Sequence, residues 1–60
     1  MEYFVVYDNN DYAIAYLDNK KELSEFSGKR MRDINYLFNK YGVVHFLKNH
    51  KMYFIYRFFC

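Results

Sequence analysis

The sequence predicts a single α+β domain in the order ββααββ, and three observations point to it. Both ends of the chain are runs of aromatic and β-branched residues with a two-residue alternation. The middle carries apolar residues three and four apart behind a helix-capping signal. The two glycines, Gly28 and Gly42, stand where each helical series stops.

Glu2 to Tyr7 reads as the first strand, and Tyr12 to Leu17 as its return. Between them, Asp8-Asn9-Asn10-Asp11 is a cluster of residues that tolerate the left-handed region and bond their own backbone. Alternation puts Tyr12, Ile14 and Tyr16 on one side of the return strand. Ala13, Ala15 and Leu17 then fall on the other, a small-residue face suited to a close helix. Asn19 is a predicted N-cap, with Glu22 three residues on as the capping-box acid. Leu23 and Phe26 share a face of this first helix, which ends at Gly28. Met31, Ile34, Leu37 and Phe38 mark one face of a second helix that ends at Gly42. Val43 to Leu47 and Met52 to Phe59 read as a C-terminal hairpin turning at Asn49-His50. The last strand is apolar on both faces, with Tyr53, Ile55, Arg57 and Phe59 on one and Phe54, Tyr56 and Phe58 on the other. That pattern places it centrally in a sheet or at an interface.

Sixty residues bury only about 60% of their unfolded surface. Cys60 is the one cysteine, so no internal disulfide supports the fold, and a single thiol fits a reducing compartment. Stability must come from burial. Fifteen of the 60 residues are Phe or Tyr, more aromatic surface than so small a core hides. This excess predicts a homodimer through the aromatic C-terminal strand, or a partner surface. Met1-Glu2-Tyr3 is not the basic start of a signal peptide and no apolar run is long enough to span a bilayer, so the expectation is a soluble cytoplasmic protein with no membrane association.

Charge is unevenly placed. Residues 1–25 hold six acids and two bases, net −4, whereas residues 26–60 hold seven bases and one acid, net +6. The basic half implies an anionic partner; mutual neutralisation of the two halves is the plainer alternative. Opposite the apolar stripe of the second helix lie Lys29, Arg30, Arg32, Asn35 and Asn39. A short helix, a tight turn and a second helix with basic and amide side chains outward can set that helix in a major groove. Arg pairs bidentately with guanine and Asn with adenine. The expected DNA contacts are Lys29, Arg30, Arg32 and Asn35, with Lys40, Lys48 and Lys51 as flanking phosphate contacts. The competing explanation is an ordinary helical hairpin with a solvated charged face.

The hairpin containing Tyr7-Asp8-Asn9, the segment Asp18 to Gly28, the basic helix with Ile34 six residues after the glycine, and the aromatic strands together resemble a known family. It is the small DNA-binding repeat found beside homing endonucleases, a pattern also shown by short phage and prophage proteins of low-GC Gram-positive bacteria. The resemblance covers residues 4–58 and fits best at Leu23, Gly28, Ile34 and Phe38. It implies duplex-DNA contact by Lys29, Arg30, Arg32 and Asn35. The chain departs from the family pattern at Ser27, where an aliphatic residue is usual, and at Lys29-Arg30, where a small hydroxyl residue is usual. Asp33 adds an acid to the contact helix.

Other chemistries find little support. His45, His50 and Cys60 match no zinc spacing, so no metal is expected. No Ser or Cys, His and acid fall in a recognisable catalytic order, and no Gly-rich phosphate loop occurs. A non-enzymatic protein without a cofactor is the expectation. Tyr12, Tyr16 and aromatic-flanked Arg57 suit base stacking, although core packing explains such spacing as well. The alternative to a DNA-binding module is a phage-type inhibitor that binds a host protein, such as a CRISPR effector or other defence nuclease. Such a protein would use the acids Asp8, Asp11, Asp18, Glu22 and Glu25, or the basic helix, as its interface.

Overall fold

The computed structural model describes residues 1–60 and has the order ββααββ. Strands β1 (Glu2–Asp8), β2 (Ala13–Leu17), β3 (Val43–Lys48) and β4 (Lys51–Phe59) form one antiparallel sheet in the order β2-β1-β4-β3. Helices α1 (Lys20–Ser27) and α2 (Met31–Tyr41) cover one face of it. The doubly apolar C-terminal strand is central, as expected, and lies between β1 and β3.

Local chemistry fixes each junction. In the β1–β2 loop the Asp8 carboxylate accepts from the amides of Asn10 and Tyr12, and Asp11 takes a φ of 65°. The Asn19 side chain accepts from the Glu22 amide at 2.9 Å, as an N-cap should. The Glu22 carboxylate reaches back one residue further than a capping box requires and accepts from the Asp18 amide at 2.7 Å. Gly28 and Gly42 end the helices at φ 74° and 77°, and their amides donate to Ser24 and Phe38 carbonyls. Asn49 and His50 both have positive φ, 52° and 64°, the signature of a two-residue type I′ turn that matches the strand twist.

One expectation changes. Val6 pairs with Ala15 but Tyr7 pairs with Ala13, so Ile14 is an extra residue in a β-bulge. The strict alternation predicted for β2 therefore holds only from Ala15 to Leu17. Ala15 packs against the core beneath α1, whereas Ala13 is exposed and Tyr12 precedes the strand.

The core lies between sheet and helices. Phe4, Val6, Leu17, Val44, Phe46 and Ile55 rise from the sheet to meet Leu23, Ile34 and Phe38. The Phe4 and Phe38 rings stack at 5.7 Å. Arg57 closes the rim, with its guanidinium over the Phe38 ring and 3.9 Å from the Glu2 carboxylate. The other sheet face carries Tyr3, Val5 and Tyr7 beside Phe58, Tyr56 and Phe54, and no helix covers it. No helix is long and apolar enough to cross a membrane.

Ile34 is fully buried at the helix–sheet seam. We expect Ile34→Ala to lower the unfolding free energy by about 3 kcal/mol in urea titrations. That is a large share of the roughly 3–9 kcal/mol expected of a chain this short. Asn19→Ala removes one cap bond and should cost about 1 kcal/mol with an unchanged denaturant slope.

Candidate nucleic-acid interface

The outward side of α2 is built by helical spacing. Ile34 and Phe38 point into the core, which turns Arg32, Tyr36 and Lys40 to solvent at i, i+4 and i+8. Lys40 donates to the Tyr36 hydroxyl at 3.1 Å, and its ammonium lies 5.5 Å and 5.3 Å from the Tyr36 and Tyr41 ring centres. The stripe is thus basic at both ends with an aromatic ring between. Tyr36 was not singled out from sequence; its place four residues from both Arg32 and Lys40 was the available signal.

The α1–α2 turn brings two more cations to the start of this helix. Ser24 Oγ donates to the Lys29 carbonyl at 2.6 Å, and Ser27 Oγ accepts from the Lys29 amide at 3.2 Å. Those bonds fix the backbone from which Lys29 and Arg30 project. Ser27, where the resembled family has an aliphatic residue, is therefore a turn-holding hydroxyl here. Arg30 is the α2 N-cap in extended conformation and supplies no side-chain cap, so the first amides of α2 have no side-chain partner at the N-cap. Asp33 lies in that first turn, where a carboxylate complements the helix dipole.

The remaining predicted contacts separate into two groups. Asn35 is half-buried and turned toward α1, where its carbonyl oxygen accepts from Lys20 Nζ at 2.9 Å. A bidentate adenine contact needs that oxygen free, so in this arrangement Asn35 offers only its amide hydrogens. Lys48 donates to the Phe26 carbonyl at 3.1 Å, with its ammonium 4.7 Å from the Phe26 ring. This capping of the last turn of α1 sets the β3–β4 turn beside the α1–α2 turn. Lys51 pairs with Lys48 across the hairpin and lines a cleft with Asp8, Asn9, Asn10, Ile14 and Tyr53.

Lys29, Arg30, Lys48 and Lys51 therefore share one end of the molecule, with Arg32 and Lys40 running away from it along α2. Arg57–Glu2 is the one ion pair in the structure, so none of these cations is held in a salt bridge, although Asp8 shares the cleft of Lys51 and Asp33 lies in the first turn of α2. No family model, curated protein or solved structure matches the chain.

The acidic residues do not gather in the same way. Asp8 and Asp11 sit at the β1–β2 loop, whereas Asp18 follows the far end of β2 and Glu22 is spent on its amide. Glu25 is exposed further along α1. His45 stands beside the Tyr41 ring at 5.5 Å, His50 is in the hairpin turn, and Cys60 is exposed at the end of the chain.

Because Arg30 and Arg32 are exposed and unpaired, the double variant Arg30→Glu/Arg32→Glu should keep its fold. Its unfolding free energy should stay within about 0.5 kcal/mol of the parent, as acids at a helix start are tolerated or favoured. Circular dichroism and urea titration check this.

Proposed function

We propose that this chain is a non-enzymatic duplex-DNA-binding module that lays the outward side of α2 into or along a groove. The observation that carries the proposal is the unpaired basic stripe Arg32–Tyr36–Lys40, extended at the helix start by Lys29 and Arg30. Arg30 and Arg32 are the candidates for base edges, because the N-terminal residues of a recognition helix reach deepest. Lys29 and Lys40 meet phosphates, as does Lys51 from the neighbouring hairpin turn. Uncapped α2 amides add donors suited to a phosphate oxygen. The resemblance to the DNA-binding repeat beside homing endonucleases points the same way.

Titration of a fluorescent duplex pool at several salt concentrations tests the proposal. For about three neutralised phosphates, log K should fall with log salt at a slope of about −3. The folded Arg30→Glu/Arg32→Glu variant should lose binding by at least about tenfold at low salt. Asp33→Asn should tighten it, since it removes the one acid facing the same groove. Salt-independent binding, or an unaffected double variant, would remove DNA as the partner of α2.

A further inference from the structure

The fold leaves the sheet face opposite the helices uncovered. Strand register puts Tyr16, Val5, Tyr56 and Val43 in one row across all four strands of that face. Tyr3 stacks on Phe58 at 5.4 Å, and Tyr7 meets Tyr56 edge-on at 5.5 Å. The register sends Glu2, Asp8, Lys48, Lys51 and Arg57 to the helix side, so the open face carries no Asp, Glu, Lys or Arg; its one imidazole is His45, beside Phe54 on the β3 edge.

We propose that two copies of this chain pair through these faces as a two-fold dimer, sheet against sheet, with the helices outside. Three observations favour a second copy as the occupant. A two-fold contact opposes a surface to itself, which a charged face resists by like-charge repulsion and this neutral one does not. A nucleic-acid strand or an acidic partner would find no Lys or Arg here, in contrast with α2.

The area also suits. Taking about 200 Å² for a whole aromatic side chain, exposures of 72% at Tyr16, 42% at Tyr56 and 36% at Phe58 leave roughly 300 Å² in water. Tyr3, Tyr7, Phe54, Leu47 and Met52 bring the face to the roughly 600 Å² per partner at which specific interfaces begin. The fold needs the burial as well, because only 10 of 60 residues are buried in the single chain and no disulfide or metal cluster supplements them. Two such sheets pack with strand directions about 30° apart over an interdigitated layer about 10 Å thick. The pairing leaves both copies of α2 on the outside, facing opposite ways.

Sedimentation velocity of the chain without nucleic acid, from micromolar to near-millimolar concentration, tests the dimer separately from the DNA proposal. The expected result is a species of twice the chain mass, with a melting temperature that rises with concentration. Tyr56→Glu, folded by circular dichroism, should be monomeric, because it buries an unpaired carboxylate in the interface. Should that variant lose its fold, Tyr16→Glu carries the test. It lies at the sheet edge and should raise the dimer dissociation constant by at least about tenfold. A wild-type chain that stays monomeric throughout overturns the proposal. So does a dimer that survives in the folded variants, which would place the contact at the free edge of β2 or β3.

Discussion

The pairing of β1 with β4 is the constraint on which the rest of the structure depends. It runs from Glu2 opposite Phe59 to Asp8 opposite Tyr53 and joins the two ends of the chain. Each of these strands then carries one edge strand through a hairpin, so neither edge has a place in the sheet until the central pair forms. The helices follow as well, because Ile34 and Phe38 have only Phe4, Val6, Ile55 and their neighbours to bury against. Isolated helices of eight and eleven residues would be marginal in water. Contacts this distant in sequence are costly to close, and they set the pace at which such a sheet assembles.

That central pair also divides the molecule by chemistry. Its helix-facing residues make the hydrophobic core and, at the rim, the Arg57–Glu2 pair. Its opposite residues form an uncharged aromatic layer. The cations of the second half of the chain thus collect on α2 and at the hairpin turn, one layer away from the aromatic face. The acids are dispersed by β2, which carries Asp11 and Asp18 to its opposite ends.

Much of this was legible in the sequence because it is local. Asn19 and Glu22 announce a helix start, Gly28 and Gly42 the two stops, and the alternation in residues 51–59 separates Tyr53, Ile55 and Arg57 from Phe54, Tyr56 and Phe58 as observed. What was not legible depends on partners far along the chain. The neighbour of β4 across the sheet is set by topology, and no residue in β4 names β1. The bulge at Ile14 answers to the Tyr7 register and breaks an alternation that otherwise reads well. The candidate site divides the same way. Arg32 and Lys40 lie outward as helical spacing requires, but Asn35 is diverted by Lys20 and Lys48 by the Phe26 carbonyl, both tertiary contacts.

The β1–β4 ladder continues to the last residues, where the Met1 amine donates to the Cys60 carbonyl at 2.9 Å and the Cys60 amide donates to the Met1 carbonyl at 2.8 Å. Residues 1 and 60 thus lie side by side at one end of the two central strands, and anything joined to either departs from the same point. A domain with this geometry can be spliced into a surface loop of a host protein without prising the loop's ends apart. It can also be closed into a ring by a short peptide and reopened at Asn49-His50, where two exposed residues carry the turn.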